Sequence, residues 1–374
     1  MKYRIITVLL LLALIACNNE RSDKESTNIK GHPTLEEMIG QMIMIGFRGF
    51  DIAEVSDTIL AHIENQRVGG LVLFDYDVVK KEAKRNIKNP EQLEKLITDL
   101  QNHSEDHLFI AIDQEGGRVN RLKATYGFPA SVSNQYLGQL NNLDSTKFYA
   151  SQNAATLSQM GINVNFAPDV DLNINPENPV IGKIGRSYGA DTSTVIAHAS
   201  VWIAAHQKEK IISTLKHFPG HGSSHADSHY GLTDITDYWQ PQELIPFKTL
   251  AQKDLVGIMT AHVVNNQLDT VPATLSKKII KEIIRDDWKF DGLLFSDDLH
   301  MGAVNDLYDF ETILKKSIDA GVDILLFGNN LRYDEEIPRK IIASVAKMVE
   351  TGEISKERIL QSYNRIIKAK SQIQ

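Results

Sequence analysis

Three stretches of the sequence hold enough acids, bases and glycines to do chemistry. The densest runs Lys216-His217-Phe218-Pro219-Gly220-His221-Gly222-Ser223-Ser224-His225-Ala226-Asp227-Ser228-His229. Its histidines recur every fourth residue, a spacing that on a helix would line one face and suit a zinc ion. Pro219, Gly220 and Gly222 disfavour a helix, so the stretch reads as a strand end followed by a glycine-containing loop. A metal site and a solvated loop without a role stand as alternatives to a catalytic loop. The second stretch, Phe295-Ser296-Asp297-Asp298-Leu299-His300-Met301, drives an apolar strand into two acids. Either acid could cap the turn that follows, so one can be catalytic while the other is structural. The third, Asp113-Gln114-Glu115-Gly116-Gly117-Arg118-Val119-Asn120-Arg121, puts acid and guanidinium groups on one glycine-bearing loop. That pairing suits fork-like hydrogen bonding to vicinal hydroxyls, although surface ion pairs look similar.

All three stretches begin where a short apolar run ends. Eight such runs occur: Met42–Gly46, Gly70–Phe74, Leu108–Asp113, Asn163–Pro168, Ile212–His217, Gly257–His262, Gly292–Ser296 and Asp323–Phe327. They are rich in β-branched residues and bounded by turn residues, as buried parallel strands are. Between and after them lie segments with helical spacing: Pro90–Asn102, Ser145–Met160, Thr194–Gln207, Ser276–Asp287, Phe310–Ala320, Pro338–Glu350 and Ser355–Lys370. Eight strand–helix units predict an α/β fold, a (β/α)8 TIM-type barrel in a single catalytic domain. A doubly wound open sheet is the alternative, but it calls for a glycine fingerprint that Gly46-Phe47-Arg48-Gly49-Phe50 does not provide. A barrel keeps its catalytic groups at the carboxyl ends of strands. Those ends hold Asp113, Asp169, Asp171, Lys216, His217, His262, Asp297, Asp298 and Asn329.

Together the three stretches closely resemble glycoside hydrolase family 3, in its β-N-acetylglucosaminidase branch. The resemblance runs from about Leu35 to Lys370. It is carried by Asp113–Arg121, Asn163–Asp171, Arg186-Ser187-Tyr188-Gly189, Lys216–Gly222, Asp227-Ser228-His229, Met259–His262, Pro272-Ala273-Thr274-Leu275-Ser276 and Ser296–Met301. It implies a barrel without the second sandwich domain of many relatives. It implies retaining removal of terminal β-linked N-acetylglucosamine from peptidoglycan fragments or chitooligosaccharides, with no metal or organic cofactor. Residue by residue, it makes Asp297 the nucleophile and His229 the general acid/base with Asp227 as its partner. Asp113, Arg121, Arg186, Lys216 and His217 then hold the terminal sugar. The segment 178–186 is slightly longer than the family pattern, and Thr233 stands where Pro is expected.

An imidazole is suited to both halves of such a reaction, because its unperturbed pKa of about 6.5 lets it give and take a proton near neutrality. A glycine-flanked loop, Gly220–Tyr230, is expected to close over the sugar. Since imidazole does not repel phosphate, a phosphorylase is an alternative outcome, as is β-glucosidase specificity. A sugar-binding lipoprotein without activity is the non-enzymatic alternative.

The chain has 374 residues and a formal charge of −8, which gives nucleic acid no global electrostatic attraction. Its one Cys excludes a disulfide framework and a cysteine-rich metal centre. That residue, Cys17, closes a leader in which Lys2 and Arg4 precede the apolar run Ile5–Ile15. Leu14-Ile15-Ala16-Cys17 resembles a bacterial lipobox. The expected organisation is a signal peptide over 1–16, a lipidated Cys and flexible tether over 17–32, and the barrel over 33–374. Such a protein would be an exported monomer held to the cell envelope by its lipid.

Overall fold

A computed structural model describes residues 33–228 and 231–374. The expected signal peptide, Cys17 and the tether, and His229, lie outside the described residues. At the centre stand eight parallel strands: β1 (Ile43–Gly46), β2 (Gly70–Leu73), β3 (Phe109–Ile112), β4 (Val164–Asn165), β5 (Ile212–Phe218), β6 (Val256–Thr260), β7 (Leu294–Ser296) and β8 (Leu325–Phe327). Each pairs with its chain neighbour from β1 through β7, and β8 pairs back onto β1 with Ile43 opposite Leu325. A parallel bridge from Phe295 to Ile324 closes the barrel between β7 and β8.

The expected (β/α)8 barrel is therefore observed, with all eight apolar runs in its wall. These strands are buried along their whole length, which is why they read as continuous rather than alternating hydrophobic runs. β4 is shorter than its run because Pro168 has no N–H to give the ladder. Inside, Phe166 meets Phe295 edge-on at 5.6 Å between centroids. Gly257 leaves room for that ring, since a Cβ there would lie 2.6 Å from it.

The helices form where capping and apolar spacing agree. Asn89 caps Pro90–Asn102 by accepting from Gln92 N–H, and Pro90 occupies the first turn, where no N–H is needed. Ser355 caps Lys356–Ile373 in the same way. Lys278–Asp287 is wound as a π-helix, which apolar spacing does not distinguish from an α-helix. The helix Leu35–Gln41 precedes β1 behind a Thr34/Glu37 capping box and packs on the last two helices. Small ladders stand over the carboxyl ends of the strands. Tyr76–Asp77 pairs with Glu82–Ala83, Gln114–Gly116 with Val119–Asn120, and Thr233–Asp234 with Val263–Val264.

Candidate active site

A cavity of about 350 Å³ opens at the carboxyl ends of the strands. Asp113, Arg121, Arg186, Lys216, His217 and Asp297 all line it, with Phe74, Tyr76, Val180, Ile184, Met259 and Leu331 as apolar wall. Six of the eight site residues expected from sequence thus converge in one place. Asp227 is half-buried on the loop after β5, and the cavity is lined without it.

The loop after β3 folds back on itself because Gly116 and Gly117 take φ of +105° and +60°. The Gln114 carboxamide then accepts from Arg121 N–H at 2.9 Å and Leu122 N–H at 3.0 Å, which fastens the returning strand. This turn brings Arg121 Nη2 to 3.3 Å from Asp113 Oδ2. From across the barrel, Lys216 Nζ reaches Asp113 Oδ1 at 2.8 Å and Glu115 Oε1 at 2.7 Å. Arg186 grips Glu115 with two nitrogens, Nη2 at 2.8 Å and Nε at 3.0 Å. Burial by itself would raise both carboxyls, but the cations overrule it and hold Asp113 and Glu115 below the usual carboxylate range.

Asp169 behaves oppositely. Burial and the charge of Asp171 push its carboxyl well above the ordinary value. Asp113 and Glu115 meet the cations Arg121, Arg186 and Lys216. The floor presents both donors and acceptors, which is the chemistry that hydroxyl groups need.

His217 is held from both sides. Asp171 Oδ2 lies 2.8 Å from its Nδ1, and Arg186 Nη2 lies 3.0 Å from its Nε2. Arginine can only donate, so Nε2 accepts and Nδ1 carries the hydrogen. Asp297 follows β7 directly, and its Oδ1 accepts from Asp298 N–H at 2.8 Å. Asp298 turns away to accept from His300 N–H and Gly328 N–H, each at 3.0 Å. Burial pushes the Asp298 carboxyl up to about 6, with Asp297 adding to the shift. Both adjacent acids line the cavity, and Asp298 is the one whose carboxyl is tied to the His300 and Gly328 N–H groups.

The glycine-bearing stretch after β5 is a strand end and loop, not a helix. Its stem is closely packed. His221, Ser223 and Ser224 are buried. Gly222 lies so close to Leu172 that a Cβ would sit 1.7 Å from its carbonyl oxygen. His225 and Ala226 are exposed.

Asp169, Asp171 and His217 bring ligand atoms within 4.8 Å of one another, the spacing of a metal site. They are poorly suited to one. Asp171 already accepts from three N–H groups, and the Arg186 guanidinium stands 3.4 Å from Asp169 Oδ2. The sequence reading places Asp171 at a strand end without a specific role and Glu115 only within the Asp113–Arg121 loop, yet Glu115 ties Lys216 to Arg186.

The family model described as "Glycosyl hydrolase family 3 N terminal domain" matches residues 34–369. The beta-hexosaminidase A of Pseudoalteromonas piscicida is 33% identical over 380 residues, covering 91% of this chain and 61% of that protein. The beta-hexosaminidase of Alkalilimnicola ehrlichii is 30% identical over 332 residues, covering 86% of this chain and 88% of that protein. A solved family 3 beta-N-acetylglucosaminidase from Paenibacillus superposes with a TM-score of 0.81 at 33% identity, covering 91% of this chain and 62% of that one. The chain thus spans about three-fifths of the length of two of these three relatives.

Proposed function

The chain belongs to glycoside hydrolase family 3, and on that footing we propose that it is a retaining β-N-acetylglucosaminidase that removes one terminal sugar at a time. The observation that carries this reading is the joining of a hydroxyl-binding floor (Asp113, Lys216, Arg186, His217) to a cavity-facing carboxyl, Asp297, in one cavity of about 350 Å³. A pocket of that size with convergent charged groups at its base fits a single sugar end better than an extended chain.

In the first step the Asp297 carboxylate bonds to the anomeric carbon while the glycosidic C–O bond breaks. The His229 imidazolium, oriented by Asp227, gives its proton to the departing oxygen. In the second step the His229 imidazole takes a proton from water, whose oxygen bonds to the anomeric carbon and releases Asp297. Two displacements at one carbon preserve the β configuration. The apolar rim of Tyr76, Val78 and Leu331 is left for the departing group.

The test is product analysis on chitooligosaccharides and muropeptides, with and without phosphate. Hydrolysis releases free N-acetylglucosamine at a rate indifferent to phosphate. Phosphate-dependent formation of a sugar 1-phosphate would replace the hydrolase reading by a phosphorylase, and preference for aryl glucoside would replace the sugar. In this reading the enzyme is exported and works as a monomer on a lipid anchor at Cys17. A Cys17→Ser variant should leave the membrane fraction while keeping its activity.

A further inference from the structure

We propose that Asp171 is a positioning residue that couples the sugar-holding end of β5 to the stem of the acid/base loop. The inference rests on the reading above and extends it to a residue that touches no substrate. Past β4 the chain runs alongside β5, with Asp169 bridging Lys216 and Val170 N–H donating to the Lys216 carbonyl at 3.0 Å. That register brings Asp171 level with His217. The Asp171 carboxylate is wholly buried. It accepts from His217 Nδ1 at 2.8 Å, from His217 N–H at 3.2 Å and from His221 N–H at 2.8 Å.

One anion thus collects donors from both sides of Pro219 and Gly220. The residues after it continue the support. Leu172 packs against Gly222, Asn175 N–H donates to the Gly222 carbonyl at 3.1 Å, and Asn175 Nδ2 donates to the Ser224 carbonyl at 2.8 Å. From this stem His221 Nε2 reaches Ser228 Oγ at 3.2 Å. Ser228 stands between Asp227 and His229 in the chain. A continuous path therefore leads from Asp171, through His221, to Ser228, the residue that adjoins in sequence the two residues assigned to proton transfer.

A carboxylate suits this arrangement, because the groups that hydrogen-bond to its oxygens all present N–H. An amide would offer one oxygen and set its own N–H2 against another donor, leaving a buried group unsatisfied. The His221 stem would then loosen, and proton delivery would suffer more than sugar binding.

The leaving group separates these effects. A sugar alcohol departs only with a proton, whereas a dinitrophenolate departs without one. In Asp171→Asn, kcat/KM on N,N′-diacetylchitobiose should fall by about 100-fold, the scale of lost acid catalysis. On dinitrophenyl β-N-acetylglucosaminide it should fall by less than about 5-fold. Asn175→Ala removes a partly exposed support of the same stem. It should show the same selective loss at smaller size, and it carries the test if Asp171→Asn does not fold by circular dichroism. An equal loss on both substrates, or no loss on chitobiose, overturns the inference. Wild-type cleavage of the dinitrophenyl substrate checks the parent reading separately, and failure there overturns both.

Discussion

Lys216 Nζ lies 2.8 Å from Asp113 Oδ1, yet the two residues come from different strand ends 103 positions apart. The lysine side chain is only 2% exposed and also serves Glu115, so this one ammonium bridges two carboxylates at the floor of the cavity. Replacing it by Met should remove the buried cation that those carboxylates share, leaving Asp113 to Arg121 and Glu115 to Arg186. Loss of a buried partner costs about 3–5 kcal/mol. The expected outcome is a lowered melting temperature and a raised KM for aryl N-acetylglucosaminide, read by calorimetry and steady-state kinetics.

Asp297→Ala removes the proposed nucleophile without touching that floor. Turnover should fall on the order of 10⁴-fold or more, as when other covalent nucleophiles are deleted. Binding of N-acetylglucosamine, followed by titration calorimetry, should persist. Substantial remaining activity would remove Asp297 from the mechanism.

Gly222→Ala tests the seat of the loop stem. The new methyl would meet the Leu172 carbonyl oxygen at 1.7 Å, and the contact is with backbone that cannot swing aside. Overpacking of this kind costs about 1–3 kcal/mol. We expect a lower melting temperature together with a larger loss of kcat than of sugar affinity.

Glu243 stands beneath the same stem, against Gly220. Burial pushes its carboxyl up to about 7 from an ordinary 4.5. The folded protein therefore keeps a proton that the unfolded chain releases between those values. This group's contribution to stability is present in acid and lost as pH rises through about 7. Glu243→Gln keeps an acceptor for Gln240 N–H and removes the titration. The variant should be more stable than wild type at pH values above that window, and urea midpoints across the range would show whether the slope disappears.

Lys370 has the opposite sign. It is buried with Nζ on Gln41 Oε1 at 2.6 Å and over the Phe109 ring, and burial lowers it to about 7 from 10.5. Between those values the unfolded chain binds the extra proton, so this contribution to stability rises with pH. Lys370→Met should stabilise the protein most at pH 7 and below, with the advantage shrinking toward pH 10.5. A constant difference across that range would contradict the assignment.

Much of this was legible in the chain itself. The eight buried strands could be read because each is a short run such as Ile43–Gly46 or Phe109–Ile112, apolar on both faces and bounded by turns. Acids and bases cluster at the strand ends, since a packed barrel interior excludes unpaired charge and its rim does not. Asp297 and Asp298 could be paired as one catalytic and one structural acid, but their order of roles could not be read from spacing. It depended on which carboxyl meets the Gly328 N–H from the neighbouring strand.

Sequence by itself determined the fold class, because burial periodicity is a local property of each segment. It also determined which residue types reach the rim, because position at a strand end is local too. Only the tertiary structure decided their partners. Glu115 joins Lys216 to Arg186, and Asp171 joins His217 to His221, because barrel closure sets distant strand ends side by side. The same closure decided that the loop stem is closely packed, since it presses Gly222 onto Leu172. Ion pairing and close packing depend on separation in space, and spacing along a chain does not report that separation once the barrel has closed.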